Sequence, residues 1–83
     1  MAQERILVVE DEKIIALDLT RRLERFGYEV VGLASEAEEA VRLTGEQLPD
    51  LVLMDIELSN GSNGVTAAIE IRNEYRIPVV FLT

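Results

Sequence analysis

Leu51–Asn60, LVLMDIELSN, stays apolar for four residues and then turns abruptly to a carboxylate at Asp55. An apolar run without alternation fits a strand covered on both faces, the usual condition in a parallel sheet. Three further β-rich apolar runs are RILVVE from Arg5, YEVVGLA from Tyr28 and PVVFLT from Pro78, and ILVV and VVFL within the first and last of these share this character. Helical patterns lie between them. In the first connection Ile15, Leu19, Leu23 and Phe26 recur at helical spacing, and Gly27 stands where a C-cap glycine belongs. The second opens with Ser35 and Glu38 spaced as a capping box, carries Ala37, Ala40 and Val41 as a small apolar stripe, and ends near Gly45 and Pro49. The third follows a turn-rich SNGSNG and runs from about Val65 to Tyr75, with Val65, Ala68, Ile69 and Arg72 on one side, until Ile77-Pro78 stops it. Alternating strands and helices predict an α/β fold with a doubly wound parallel sheet. The second run, with Glu29 and Gly32, suits an edge.

Composition narrows the chemistry. The 83 residues form one domain at most, and 48% hydrophobic with 5% aromatic content suits a globular core of Val, Ile, Leu and Ala. The net charge of -8 disfavours direct contact with nucleic acid or an anionic membrane and favours cations or basic partner faces. Without cysteine there is no disulfide framework or thiol chemistry, and without histidine the commonest general base and zinc ligand are gone. The apolar runs are far shorter than a membrane span needs, and acids occupy the place of a signal-peptide cleavage region, so a cytoplasmic protein is expected.

If the winding reverses after the second strand, the first and third strands become neighbours, and their carboxyl ends form the crevice where open α/β sheets bind ligands. Glu10 and Asp11, from VEDE at the end of the first strand, then face Asp55. Three converging acids repel one another unless a cation joins them, and hard oxygen ligands suit Mg²⁺. Thr83 ends the fourth strand, where its hydroxyl would emerge at the same edge and meet an anion held by the metal. A carboxylate, a metal site and a hydroxyl make a phosphoryl acceptor, with Asp55 as the nucleophile. Singly, each feature has a plainer reading: EDE complements a helix dipole, an aspartate caps a turn, and a threonine is a strand residue. Arg21, Arg22 and Arg25 read as a solvated helix face.

At these residues the chain resembles the receiver domain of two-component response regulators. ILVVEDE looks like the family's acidic-pocket strand, PDLVLMDIEL its phosphoacceptor strand, and IPVVFLT the strand ending in its switch hydroxyl. The resemblance implies a flavodoxin-like sheet of order 2-1-3-4, with Asp55 as phosphoacceptor. It implies Asp11 and Asp55 as Mg²⁺ ligands, Glu10 acting mostly through a metal-bound water, and the Glu57 backbone carbonyl as a further ligand. Thr83 would bind the phosphoryl group and move inward with it. A sensor histidine kinase would be the donor, an output domain or partner protein the reader, and the domain no enzyme beyond assisting its own phosphorylation and dephosphorylation.

The match covers residues 1–83 as the N-terminal two thirds of such a domain, its first four strands and three helices. The family's last strand and last two helices have no counterpart here, nor does the lysine that closes its active site; Lys13 is at the start of the first helix and is not in that role. After Asp55, Ser59 replaces the usual proline, and Gly64 comes one residue later than in the commonest pattern. Two expectations follow: the sequence is part of a longer chain, or an 83-residue polypeptide covers its exposed sheet by dimerising or exchanging segments. A non-switching interaction module that does not complete phosphotransfer is the alternative to a phosphorylation switch.

Overall fold

The structure is a computed structural model describing residues 3–56, 58 and 63–82. Seven elements alternate along it: β1 (Arg5–Val9), α1 (Lys13–Arg25), β2 (Glu29–Ala34), α2 (Ala37–Gln47), β3 (Leu51–Met54), α3 (Gly64–Tyr75) and β4 (Val79–Phe81). All strand pairings are parallel, and the sheet runs β2-β1-β3-β4. This is the flavodoxin-like order expected from the sequence, with the chain reversing its winding after β2 and β2 at an edge.

Side-chain alternation divides the sheet between two helical layers. Leu7 and Val9 of β1 and Val52 and Met54 of β3 are fully buried in one core with Ala40 of α2 and Ala67, Ala68 and Ile71 of α3. Their strand neighbours Ile6 and Val8 face the opposite layer, where α1 packs over β1 and β2 and buries Ala16. Burying a branched aliphatic side chain contributes roughly 1.5–3 kcal/mol, so the central strands dominate the stability of this small fold. On the α1 face, Leu53 is half-buried and Val80 of edge strand β4 is 47% exposed.

Several helix details depart from the sequence reading. α1 presents Ala16 to the sheet and leaves Ile15 and Phe26 exposed. α3 buries Gly64, Ala67, Ala68 and Ile71, whereas Val65 and Ile69, grouped in the sequence on one side with Ala68, are exposed. Small side chains let a helix approach a flat sheet closely, and here that closeness outweighs the size of the larger residues. The capping box at Ser35 is shifted by one residue. Glu36 is the N-cap of α2, and Glu39, not Glu38, reaches back to accept from the Ser35 N–H at 2.8 Å and its hydroxyl at 3.3 Å. As expected, α2 ends between Gly45 and Pro49, at Gln47 with a left-handed Leu48 at φ 47° as its C-cap, and the Tyr75 phenol lies against Gly45. Gly27 does close α1, at φ 94°: its N–H donates to the Glu24 carbonyl and that of Tyr28 to Leu23, both at 3.0 Å.

Candidate phosphoacceptor and metal site

The ladder of the sheet continues one residue beyond the strands and sets the site in register. The Glu10 N–H donates to the Ala34 carbonyl, that of Asp55 to Val9 and that of Leu82 to Met54, each at 2.9 Å. Glu10 and Asp55 therefore leave adjacent strands side by side at the carboxyl edge. Carboxylate oxygens of Glu10, Asp11 and Asp55 lie within 4.8 Å of one another, so the structure brings together the three acids singled out in the sequence.

Their environments differ. Glu10 is only 8% exposed, and Asp11 and Asp55 are half-buried. The Glu10 carboxylate accepts from the Glu12 N–H at 3.2 Å, just as α1 begins. Burial pushes its pKa above the ordinary value of 4.5, the charges of Asp55 and Asp11 push the same way, and the Glu12 hydrogen bond opposes them. A buried carboxylate crowded by two others is held in a state that a hard cation relieves, and an all-oxygen donor set of this kind fits Mg²⁺. Glu57 and Thr83, the other two expected site residues, lie outside the described residues.

Two residues that the sequence reading did not assign to the site support Asp55 from below. The Gly64 N–H donates to the Ile56 carbonyl at 3.2 Å, and a Cβ there would fall 2.5 Å from the Asp55 carbonyl oxygen. Only glycine lets α3 start so close to the backbone of Asp55. Asn63 caps that helix, its side-chain oxygen accepting from the N–H groups of Val65 at 2.8 Å and Thr66 at 3.3 Å. An Asn-Gly pair before a helical pattern is the signal for both, although it reads equally well as a simple turn. Leu58 is buried in the core with Ala67 and Ile71.

A parallel 2-1-3-4 sheet with an acidic triad at its switch point defines a receiver-type fold. The profile of the response regulator receiver domain matches residues 6–83, and the chain belongs to that family. It is 42% identical over 84 residues to the phyllosphere-induced regulator PhyR of Methylorubrum extorquens, a match covering 100% of this chain and 31% of PhyR. It is 43% identical over 79 residues to the transcriptional regulatory protein PdtaR of Mycobacterium tuberculosis, covering 95% of this chain and 38% of PdtaR. The crystal structure of the response regulator PhyR from Brucella abortus superposes with a TM-score of 0.90 at 41% identity, over 96% of this chain and 33% of that one. The receiver domain of Erythrobacter litoralis PhyR gives 0.89 at 32% identity, over 98% and 63%. The chain thus spans about a third of the length of the curated relatives it matches. No helix among the described residues is long and apolar enough to cross a membrane.

Proposed function

We propose that the chain is a phosphorylation switch of two-component signalling, in which Asp55 accepts a phosphoryl group from a phosphohistidine on a sensor histidine kinase. The observation that carries this reading is the meeting of Glu10, Asp11 and Asp55 carboxylates within 4.8 Å at the end of adjacent parallel strands. A carboxylate oxygen of Asp55 attacks phosphorus as the P–N bond to the kinase imidazole breaks. The bonding pair returns to the ring nitrogen, and an aspartyl phosphate forms. Glu10, Asp11 and Asp55 would hold Mg²⁺, which when bound supplies neutralising charge for the phosphoryl oxygens. By family resemblance, the Glu57 carbonyl completes the donor set and the Thr83 hydroxyl binds the phosphoryl group. The reaction changes the receiver itself and transforms no metabolite.

The response is read by an output domain or partner protein in the cytoplasm. The PhyR of Bartonella quintana forms a complex with the anti-sigma factor NepR, which supports an output delivered by protein contact. The direct test is incubation with Mg²⁺ and acetyl phosphate followed by intact-mass measurement. One phosphoryl adduct is expected, absent in Asp55→Asn; a well-folded chain that takes up none would overturn the assignment.

A second reading, an interaction module that does not complete phosphotransfer, draws on the exposed apolar residues Ile14, 85% exposed, and Val80 on the β4 edge. Such a chain would self-associate in sedimentation experiments without forming an adduct.

A further inference from the structure

Beside the acidic triad, on the β2 side of the sheet, lies an open cavity of about 460 Å³. Ala16 and Leu17 of α1 and Leu33 and Ala34 of β2 line its apolar part, while its charged lining sets the three acids Glu10, Asp11 and Glu39 against the one base Lys13 and is acidic in balance. Leu17 is 51% exposed and Leu33 46%, so two large apolar side chains meet water around a concave surface. A second cavity of about 470 Å³ adjoins the first, sharing Ser35 and Glu39 with it, and adds Glu38. The basic residue lining this second cavity, Arg42, already pairs with Glu39 at 3.9 Å and Glu46 at 3.1 Å.

Lining chemistry and sequence of the two cavities select an occupant. An apolar cleft followed by an acidic one matches a chain in which an apolar side chain is followed by lysine or arginine. A small apolar ligand leaves the acidic rim unused, and nucleic acid or an anionic membrane is repelled by a chain of net charge -8. Basic amphipathic segments combine the two required features. We propose that this double groove docks a basic amphipathic segment of a partner protein, with an apolar side chain between Leu17 and Leu33 and basic side chains along Glu39 and Glu38. The acids steer the encounter and the apolar cleft holds the segment. The groove is formed without phosphorylation, so the proposal stands apart from the role of Asp55.

The test is a titration of the ¹⁵N-labelled full chain with a designed Leu/Lys amphipathic helical peptide, and separately with a Leu/Glu counterpart. Saturable amide shifts are expected at Leu17, Leu33, Ala34 and Ser35 with the Leu/Lys peptide, weakening as salt is added. Leu33→Ser and Glu39→Lys, both outside the central core, are each expected to weaken binding about tenfold. Shifts scattered over the acidic surface would overturn the proposal. So would an equal response to the Leu/Glu peptide, or an unchanged Kd in both variants while their spectra remain those of the folded chain. An Asp55→Asn chain keeps the groove and is expected to bind the peptide normally, which separates this result from any failure of phosphorylation.

Discussion

Gly64 is held against the backbone that follows β3: a Cβ on it would stand 2.5 Å from the carbonyl oxygen of Asp55 and 3.0 Å from that of Ile56. Both obstacles are main-chain atoms and cannot swing aside as a side chain does. Helix propensity alone favours alanine over glycine by about 1 kcal/mol in a helix interior, and by less in a first turn. The steric term is larger, since forcing one methyl into a closed contact costs about 1–3 kcal/mol. Gly64→Ala is therefore expected to destabilise the chain by about 1–3 kcal/mol, read as a lower urea midpoint with an unchanged m-value. It is also expected to slow adduct formation from acetyl phosphate, because the displaced backbone carries Asp55. An unchanged midpoint would mean that the contact relaxes freely.

Glu10 makes the folded chain sensitive to pH in a direction fixed by its raised pKa. Above its folded pKa the group is charged in both folded and unfolded chains, and its burial among Asp11 and Asp55 weakens the fold by the full amount. As pH falls through the folded value toward 4.5, the folded chain takes up the proton first and the penalty is relieved. Glu10→Gln carries no such penalty and keeps an oxygen for the Glu12 N–H. Without divalent cation it is expected to melt above the parent at neutral pH, with the difference closing as pH drops to 4.5 and below. Melting curves across that window, read by circular dichroism, provide the check.

The same crowding is expected to make the fold responsive to metal. Any ligand that binds only the folded chain stabilises it by RT ln(1 + [L]/Kd), about 2.7 kcal/mol at a hundredfold excess over Kd. For a domain of this size that is a rise in Tm of roughly 10 °C or more. Mg²⁺ is expected to produce it, and NaCl at matched ionic strength is not. Asp11→Asn, which removes a charge from the cluster and leaves its volume unchanged, is expected to lose most of the shift. With saturating Mg²⁺ the order of Glu10→Gln and parent should reverse, because the charge that is costly in the empty site becomes favourable beside a cation.

The sequence was informative where a pattern has one physical solution. Unalternated apolar runs at Ile6–Val9 and Leu51–Met54 require cover on two faces, and once β1 and β3 are neighbours Glu10, Asp11 and Asp55 have to meet at their ends. It was less informative for the helices, because periodicity weights large residues and close packing rewards small ones. Thus Ile15, Phe26, Val65 and Ile69 stand in solvent while Ala16, Ala67 and Ala68 carry the contacts. The shift from Glu38 to Glu39 at the start of α2 has a similarly local cause: the helix begins one residue late, and whichever carboxylate is then at the third helical position turns back to Ser35. The role of Gly64 was hidden because a glycine required for close approach looks the same in sequence as one required for a turn.

At the far end of the sheet, Arg5 ties β1 to the end of α2. Its guanidinium donates to the Gln47 carbonyl at 2.7 Å and the Leu48 carbonyl at 3.2 Å, and its backbone N–H donates to the Asp50 carboxylate at 2.7 Å. These carbonyls have no partner further along the helix, and a cation beside them also complements the helix dipole. Substituting the side chain leaves the Asp50 contact in place but frees both carbonyls. Water can reach them in part, so the expected loss for Arg5→Met is about 1–2 kcal/mol rather than the larger cost of a fully buried group. Arg5→Lys keeps the charge but not the planar guanidinium, whose one nitrogen serves both carbonyls while the other faces the Gln47 side-chain oxygen at 3.4 Å, and should recover less than half of that loss. Because α2 also carries Glu39, hydrogen exchange offers a sharper readout than global melting. Amides in the last turn of α2 are expected to lose protection in Arg5→Met, while those of β3 leading to Asp55 are expected to follow only the global change. Equal loss at both places would mean that Arg5 acts on the whole fold and not as a cap of this helix.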